Sequence, residues 1–416
     1  MIRDAAITWH LLREARRSSR RPSDWFRLRQ EGVLRRLLRH AYDRVPLYRR
    51  LWDESGFRPE AFRTLADLER VPPLSKPRLK EADPTDTIAA GTNTASCMTA
   101  ATSGSTGAPM QFLLGPFERC WNRAVAWRIL FEHGFRWTDR TLEIRMTKGP
   151  TYAIQRLGVA PKVWMSILEP PSAWVDRLVS EQPQCVMAGA GTLDLLAAAI
   201  GDAPVRPPQI VISDSETLTP SIRMRIHAAL GTDPIDVYGL EEVSNFAWEC
   251  ERRAGLHISA DSHIVEVGAP PGEIGPLTVT ALGMWTMPFI RYQTGDLAAA
   301  SPHACPCGRT LPLLSSLHGR AVDSIELSGG RRLLWPFFHE LLGGVRGVIH
   351  WQAVQETGTD IVVRVVLSPP SDDQTARIAA TLRDRLPGEC TLRVESVKSI
   401  PPEANGKRRL VIPRRP

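Results

Sequence analysis

The sequence predicts an α/β fold: a large N-terminal domain of parallel βαβ layers, a β-rich, barrel-like subdomain, and a small α/β C-terminal domain. Three observations carry this prediction. Short apolar segments alternate with amphipathic helical segments between residues 185 and 238, which is typical of parallel βαβ units. Residues 250–310 show the period-two pattern and Gly/Pro turns of antiparallel strands, and residues 321–416 return to mixed helix and strand.

The composition is that of a globular chain. Its 416 residues are 43% hydrophobic and 23% charged, which is enough material for two or three domains. The net charge is +7, and arginine is concentrated in residues 1–50, where it alternates with apolar and acidic residues. This alternation favours solvated helix faces over a nucleic-acid or membrane-binding surface, so neither partner is expected.

The sequence also bears on the compartment. It contains no apolar run of about 18 residues, and its N-terminus lacks the apolar core and cleavage site of a secretory signal. We therefore expect a cytoplasmic protein. Seven cysteines, odd in number and widely scattered, argue against a disulfide framework.

The first ninety residues predict helices joined by proline turns. Apolar residues recur with helical spacing at Val33, Leu34, Leu37, Leu38 and Ala41, before Pro46 interrupts the pattern. We interpret this segment as a helical cap on the large domain.

A cluster of hydroxyl residues and glycines follows at Thr102-Ser103-Gly104-Ser105-Thr106-Gly107, between two short apolar runs. The backbone N–H groups and hydroxyls of such a turn can converge on phosphate oxygens. The same composition is common in ordinary solvated turns. The cluster lacks the lysine of the Walker pattern.

The next segment is a helix rich in aromatic residues. Trp121, Trp127, Phe131 and Phe135 fall roughly on one face, and helical spacing of this kind favours a core over a pocket.

The strands that follow are predicted at Cys185–Ala188, Gln209–Ile212 and Pro234–Tyr238, separated by helices at Leu193–Ile200 and Pro220–Leu230. Ligands of open parallel sheets lie beyond the carboxyl ends of the strands. Two polar segments fall at such ends, Ser213-Asp214-Ser215-Glu216 and Tyr238-Gly239-Leu240-Glu241-Glu242.

The second of these segments contains residue types suited to a nucleotide. Tyr238 can stack on a purine, Gly239 permits close approach of the backbone, and the hard carboxylate of Glu242 suits Mg²⁺.

In the β-rich region, strands are predicted at His263–Val267, Pro276–Leu282 and Phe289–Tyr292. After the last strand we expect a turn in which Asp296 can accept hydrogen bonds from two vicinal hydroxyls.

The same region contains Cys250, His257, Cys305 and Cys307, the ligand types that Zn²⁺ takes tetrahedrally. Unpaired buried cysteines are the alternative on spacing alone, and His263 is a second candidate for the histidine ligand. Four protein ligands leave no open coordination position, so such a zinc site would be structural.

Five segments in chain order resemble the signature series of the adenylate-forming ligases, most closely the phenylacetate-CoA ligase and CapK-like branch. They are residues 102–107, Tyr238–Glu242, Arg291–Asp296, Gly319-Arg320 and Asn405-Gly406-Lys407. The resemblance spans nearly the whole chain. The branch often shows the same Cys…Gly-Leu-His…Cys-x-Cys-Gly-Arg pattern, which favours the zinc interpretation.

The resemblance implies three parts: a helical segment at 1–90, an adenylate-forming core at 91–320, and a mobile lid domain at 321–416. It implies that Ser103, Ser105, Thr106 and the neighbouring Thr102, Gly104 and Gly107 bind the ATP phosphates. It further implies that Ser213, Asp214, Ser215 and Glu216 line the adenine, and that Glu242 rather than Glu241 binds Mg²⁺. Asp296 and Arg320 would hold the ribose, and Lys407 would be the catalytic lysine.

The implied reaction is activation of a carboxylic acid by ATP, with release of pyrophosphate, followed by transfer of the acyl group to coenzyme A. Transfer to an amine or another nitrogen nucleophile is the alternative, and both use the same residues. The partners are then a small carboxylic acid and an acceptor nucleophile, and the resemblance is consistent with a homodimer. Trp127, Phe131, Trp164 and the small residues Ala188-Gly189-Ala190 suit an aromatic-sized cavity, although each also suits the core.

Three departures from the family pattern are visible. Neither Ala108 nor Met110 supplies the lysine that relatives often have in the phosphate loop. Val322-Asp323 replaces the paired acids after the hinge arginine, and the segment at 213–216 is unusually acidic.

Overall fold

The computed structural model describes residues 2–101, 110–149, 153–320, 324–327, 332–343, 345–401 and 409–414. These residues form two compact units. The first comprises Met1–Asp139, Leu157–Pro161 and Ile235–Leu317, and the second comprises Arg140–Arg156, Lys162–Pro234 and His318–Pro416.

The first unit begins with four helices, α1 Ile2–Ser18, α2 Ser23–Arg44, α3 Pro46–Ser55 and α4 Lys76–Glu81. The predicted apolar stripe of α2 is buried at Leu34, Leu37, Leu38 and Ala41. Helix α3 begins at Pro46, where a missing N–H costs nothing, and ends before Gly56, which adopts φ +71°. The prediction of helices joined by proline turns is confirmed.

A short antiparallel hairpin follows, made of β1 Met98–Ala101 and β2 Gln111–Leu114. These strands flank the predicted phosphate loop, of which residues 102–109 lie outside the described part of the chain. Helix α5 Pro116–Glu132 then packs against α1. Trp121, Phe131 and Phe135 are buried, as the core interpretation predicts, although Phe135 lies beyond the end of α5.

The second unit contains the parallel βαβ layers. Its elements are β3 Thr141–Arg145, α6 Ala153–Arg156, β4 Lys162–Ser166, α7 Pro171–Glu181, β5 Cys185–Gly189, α8 Ala190–Ile200, β6 Ile210–Asp214 and α9 Pro220–Leu230. The strands lie in the order β6-β5-β3-β4, and each pair is parallel. The alternation in the sequence therefore identified β5, α8, β6 and α9 of these layers correctly. The third predicted strand, Pro234–Tyr238, corresponds to Ile235–Leu240 of the first unit.

The first unit continues with strands β7 Ile235–Leu240, β8 Ser244–Glu249, β9 Leu256–Ile258, β10 His263–Val267, β11 Ile274–Ala281, β12 Tyr292–Ala300 and β13 Leu313–Arg320, of which the last three residues belong to the second unit. They lie in the order β10-β11-β12-β13-β9-β8-β7. The pairs β10·β11 and β11·β12 are antiparallel, as predicted for residues 250–310. The pairs β13·β9, β8·β9 and β7·β8, which extend beyond those residues, are antiparallel as well. A barrel-like closure stays a prediction.

The strand predicted at Phe289–Tyr292 was wrong, and so was the turn expected to follow it. The strand begins at Tyr292 and runs through Asp296. Arg291 adopts φ +45°, which interrupts the extended backbone just before β12. The buried face of β12 includes Thr294 and Asp296, so the usual alternation of apolar and polar residues is absent there.

The C-terminal part of the second unit is a four-stranded sheet with helices. Its elements are β14 Ile325–Glu326, β15 Arg332–Leu333, α10 Trp335–Leu342, β16 Val348–Thr357, β17 Asp360–Leu367, α11 Asp372–Arg385, β18 Thr391–Ser396 and β19 Val411–Ile412. The sheet order is β18-β17-β16-β19. Phe338, Val363 and Leu382 are buried in its core. In the described part of the chain, every helix is too short or too polar to cross a membrane.

Candidate active site

Glu242 lies in the turn between β7 and β8 and is 3% exposed. The Tyr292 hydroxyl donates a hydrogen bond to Glu242 Oε1 over 2.8 Å. The Nζ atom of Lys76 lies 3.8 Å from the same oxygen. A buried carboxylate held by one hydroxyl and one ammonium is fixed in position, and a carboxylate is the ligand type that Mg²⁺ prefers.

Lys76 reaches Glu242 because the segment before α4 runs alongside β12. The backbone N–H of Leu74 donates to the carbonyl of Arg291, and the N–H of Gln293 donates to the carbonyl of Leu74, each over 3.0 Å. This pairing holds the start of α4 beside Tyr292. Residues more than 160 positions apart in the chain are thereby brought to one carboxylate.

Tyr238 and Asp296 form the second pair in this unit. The Tyr238 hydroxyl donates to Asp296 Oδ2 over 2.6 Å, and its ring packs edge-on against Phe246 with centroids 5.0 Å apart. Burial, and next the negative charge of Asp296, raise the pKa of Tyr238 well above its ordinary value, so the phenol stays protonated and donates. We name Tyr238, Glu242, Tyr292 and Asp296 the tyrosine–carboxylate cluster.

Close packing of the β7–β8 hairpin requires a glycine at position 239. A Cβ atom at this position would lie 2.5 Å from the Asn245 Cα atom and 2.6 Å from the Ser244 carbonyl oxygen. Only glycine therefore permits the β7–β8 hairpin to close at the register that carries Tyr238 and Glu242.

The acidic segment Ser213–Glu216 lies at the carboxyl end of β6 in the second unit, as predicted. Arg145, at the end of β3, donates to both carboxylate oxygens of Asp214, with Nη2 to Oδ2 at 2.6 Å. Glu216 accepts a hydrogen bond of 2.7 Å from the Gly191 N–H, at the N-terminus of α8. Each acid of the segment therefore has a local partner.

Of the remaining predicted residues and segments, two lie in the described part of the chain and two lie outside it. Arg320 is the last residue of β13 and is half-buried. The hydroxyl of Ser213 is buried, with no hydrogen-bond partner among the described residues. Residues 102–107 and Lys407 lie outside the described part of the chain.

The cysteine and histidine residues predicted as zinc ligands come together in the first unit. The ligand atoms of Cys250, His257, Cys305 and Cys307 all lie within 4.8 Å of one another, and we name these residues the cysteine–histidine cluster. Cys250 Sγ is 3.6 Å from Cys305 Sγ, and Cys307 Sγ is 3.3 Å from His257 Nε2. In a tetrahedral site with Zn–S bonds of about 2.3 Å and Zn–N bonds of about 2.0 Å, two sulfurs lie about 3.8 Å apart and a sulfur lies about 3.5 Å from a nitrogen. The two distances in the cluster are close to these values.

The electrostatics of the cysteine–histidine cluster also suit a cation. Burial raises the pKa of Cys250 to about 12 and lowers that of His257 to about 4. The backbone N–H groups of Arg252 and Arg309 point at the sulfurs of Cys250 and Cys307, each over 3.4 Å. A bound metal would stabilise the thiolates that burial otherwise opposes, so the residues present fit a zinc ion.

His263, the second candidate for the histidine ligand, lies outside this cluster. Its Nε2 atom is 2.8 Å from the Val243 carbonyl and its Nδ1 atom is 3.0 Å from the Ser262 hydroxyl. His263 therefore supports the turn next to Glu242.

Three residues at these sites have no counterpart among the sequence predictions: Lys76, Arg145 and, as the partner of Glu242, Tyr292. Each acts through a partner at least fifty positions away. The one local signal is a lysine or arginine at a helix start or a strand end, which is too common to identify a site.

The fold is similar to that of solved acid-CoA ligases. A 2-hydroxyisobutyryl-CoA ligase in the postadenylation state in complex with R3-HIB-AMP matches with a TM-score of 0.80 at 21% identity, over 96% of this chain and 92% of that chain. A benzoate CoA ligase from Burkholderia xenovorans LB400 matches with a TM-score of 0.56 at 19% identity, over 77% and 68% of the two chains. The fold is thus that of the adenylate-forming ligases.

The family follows from the sequence relatives. The CapK C-terminal domain family matches residues 331–414. A phenylacetate-coenzyme A ligase from Thermus thermophilus is 30% identical over 327 residues, 74% of this chain and 73% of that protein. One from Escherichia coli is 29% identical over 324 residues, 72% of each. The chain belongs to the phenylacetate-CoA ligase and CapK-like family of AMP-forming acid ligases.

Proposed function

We propose that the protein joins an aromatic carboxylic acid to coenzyme A through an acyl-adenylate. The observation that carries the proposal is the tyrosine–carboxylate cluster, in which Tyr292 donates to the buried Glu242 and Tyr238 donates to Asp296, while the charge of Glu242 also acts on Tyr238. Relatives named phenylacetate-coenzyme A ligases support both the aromatic acid and the thiol acceptor.

The first half-reaction forms one bond and breaks one. A carboxylate oxygen of the acid attacks the α-phosphorus of ATP, and the bond to the β-phosphate oxygen breaks, so that pyrophosphate leaves with the electron pair. In the second half-reaction the thiol sulfur attacks the acyl carbon and AMP leaves. Catalysis of such steps depends mainly on positioning and on stabilising developing negative charge.

Each predicted residue has a role in this scheme. Glu242 would hold the Mg²⁺ that accompanies ATP, and the hydrogen bond from Tyr292 keeps the Glu242 carboxylate in position. Asp296 and Arg320 hold the ribose, the segment 213–216 lies along the adenine, and Ser103, Ser105 and Thr106 bind phosphates. Lys407 contacts the attacking carboxylate and the α-phosphate.

Lys76 adds a role that relates to the missing phosphate-loop lysine. Its Nζ atom, 3.8 Å from Glu242, brings a positive charge to the carboxylate that would hold Mg²⁺. Relatives often have a lysine in the phosphate loop, and neither Ala108 nor Met110 supplies it here. We include Lys76 in the proposal as the residue that offsets phosphate charge instead of that missing lysine. A flexible point charge is suited to this task.

We also propose that the cysteine–histidine cluster holds one structural Zn²⁺ ion. The distances, the buried sulfurs and the two N–H groups that point at them support this assignment. The metal would supply cross-linking of the β-rich region, and no step of the reaction would use it.

The experiment that tests the function is release of pyrophosphate and AMP from ATP over a panel of aryl and aliphatic acids, with and without coenzyme A. An aryl acid that yields AMP, and a thioester only when the thiol is present, is the expected result. AMP without thioester would overturn the thiol acceptor and direct the search to amines. No pyrophosphate with any acid would overturn the adenylation itself.

The Lys407→Ala variant tests the residue with the most specific role. Acid-dependent pyrophosphate release should fall by about 10²-fold or more, because a charge that stabilises the transition state is removed. The midpoint of thermal unfolding should stay the same. Lys398→Ala, on the same domain, is the matched control, and an unaffected first half-reaction in Lys407→Ala would refute the role.

A further inference from the structure

A basic cavity lies in the first unit, at the C-terminal end of α1. Its volume is about 470 Å³, and four of its lining residues are exposed arginines: Arg13, Arg16 and Arg17 of α1, and Arg20 two residues after the helix ends. The remaining wall is formed by Phe131 and Glu132 at the end of α5 and by Arg309. None of these residues belongs to the proposed active site.

The single carboxylate in the cavity wall is already engaged by other residues. Glu132 Oε1 accepts a hydrogen bond of 2.6 Å from the Ser19 hydroxyl, and Oε2 accepts one of 3.1 Å from Arg309 Nε. Both Glu132 oxygens therefore bind other residues, Ser19 and Arg309, rather than the arginines of α1.

The arginines of α1 have few internal counter-charges. Arg17 approaches Glu14 at 4.0 Å, and the Arg16 guanidinium lies 5.3 Å from the centre of the Phe131 ring. Within the described ranges, no carboxylate pairs with Arg13, Arg16 or Arg20. The dipole of a helix C-terminus favours cations in the last turn, but Arg13 and Arg309 lie outside that turn.

Arg309 makes one side of the cavity rigid. Its guanidinium is held between Glu132 and Glu251, and it lies 5.4 Å from the centre of the Trp248 ring. The α1 arginines thus face a fixed wall, across a space large enough for a small molecule.

We propose that this cavity binds a small anion with two or more phosphate groups, such as inorganic tripolyphosphate or a nucleoside di- or triphosphate. Guanidinium groups bind phosphate oxygens through paired N–H donors, and several arginines around one space match several phosphates. Trp9 is 50% exposed, lies one turn before Arg13 on the same helix face, and contacts Trp137 with ring centroids 5.8 Å apart. An exposed indole beside the arginines is a platform on which a base can stack.

The test titrates inorganic tripolyphosphate into the full-length protein by calorimetry, with hydrogen exchange of α1 as a local measurement. We expect saturable binding and slower exchange of the peptides that contain residues 10–20. In the Arg13→Ala/Arg20→Ala variant, the dissociation constant should rise at least tenfold and the protection of α1 should be lost.

The matched control is Arg36→Ala/Arg39→Ala, which removes the same charge from exposed positions of α2 outside the cavity. Its dissociation constant should stay within twofold of the wild-type value. All four arginines are exposed, so both variants should keep the wild-type midpoint of thermal unfolding. Equal weakening in both variants, binding unchanged in Arg13→Ala/Arg20→Ala, or no protection of α1 would each overturn the proposal.

A second arm identifies the source of the phosphates. Because ATP also binds the proposed active site, wild-type and Trp9→Ala proteins are compared by the hydrogen-exchange protection of residues 10–20 at increasing ATP and at increasing tripolyphosphate. Weaker binding of ATP alone supports a nucleotide ligand whose base stacks on the indole, and unchanged binding of both supports inorganic polyphosphate in the same site. Loss of both would show that the indole, not the arginines, forms the site and would overturn it.

Discussion

The tyrosine–carboxylate cluster and the cysteine–histidine cluster lie in the same unit, yet they differ in what holds them together. Glu242 and Asp296 each accept a hydrogen bond from a tyrosine, so the protein itself satisfies part of their need for donors. The cysteine sulfurs and His257 instead face one another, and burial disfavours the charged forms of Cys250 and His257. The first cluster therefore has internal hydrogen-bond partners of its own, whereas the proposed zinc ion would supply the positive charge that the second lacks.

The largest expected effect is on chemistry, in Glu242→Gln. The amide still accepts from Tyr292 but has no charge for Mg²⁺, so pyrophosphate release should fall about 10²- to 10³-fold, about 3–4 kcal/mol. The midpoint of thermal unfolding should hardly change. Glu241→Gln, at the exposed neighbouring acid, is the control and should keep its activity. Activity within tenfold of wild type in Glu242→Gln would contradict the role.

The next effect is on stability, in Cys305→Ser. Loss of one of four zinc ligands should lower the free energy of unfolding by about 3 kcal/mol or more and reduce the zinc content measured by mass spectrometry. Adenylation by the fraction that remains folded should persist. Cys97→Ser, outside the cluster, should change neither quantity. Wild-type protein purified without zinc would end this interpretation.

A third effect concerns His263, whose two ring nitrogens both have hydrogen-bond partners within the protein. Burial lowers its pKa from 6.5 to about 4, so the folded state keeps it neutral while the unfolded chain takes up a proton first as pH falls. The stability it contributes is thus complete above about pH 6.5 and is lost as pH falls toward 4. Between pH 7 and 5 the loss is about 2 kcal/mol.

His263→Gln should remove this part of the pH dependence, measured by denaturant unfolding at both pH values. The exposed His10, changed to Gln, is the control and should keep the wild-type difference between pH 7 and 5. An identical pH dependence in His263→Gln would show that another group titrates.

The smallest effect is expected for Lys76→Met, which keeps the stem but removes the ammonium near Glu242. Pyrophosphate release should fall about tenfold, about 1.4 kcal/mol, because one of several positive charges near the phosphates is lost. Lys80→Met, on the same helix, is the control. A larger loss in Lys76→Met than in Glu242→Gln would reverse the proposed order of importance.

The sequence predicted much of the fold, because apolar alternation follows burial. It identified β5, α8, β6 and α9 of the βαβ layers to within a few residues, and the mixed helix and strand of the C-terminal part. It failed at β12, where Thr294 and Asp296 occupy buried positions that alternation assigns to apolar residues. The exception is itself part of the candidate site.

The site was predicted in part, for a related reason. Glu242, Asp214 and the cysteine–histidine cluster were recognisable as short segments. The partners Lys76 and Tyr292 of Glu242, and Arg145 of Asp214, depend instead on contacts between distant strands and helices. Which distant side chains contact each other depends on the order and register of the strands, and a single sequence does not reveal either. The roles of residues 102–107 and Lys407 stay predictions.

The surroundings of Trp248 give the cysteine–histidine cluster an optical signal. This indole is completely buried, its centroid lies 5.3 Å from that of His257, and the guanidinium groups of Arg309 and Arg128 lie 5.4 and 6.0 Å from it. Indole emission depends on the charge and rigidity of its neighbours. If the proposed zinc ion is bound at the cluster, its removal by a chelator should therefore change the fluorescence of Trp248, without any added dye.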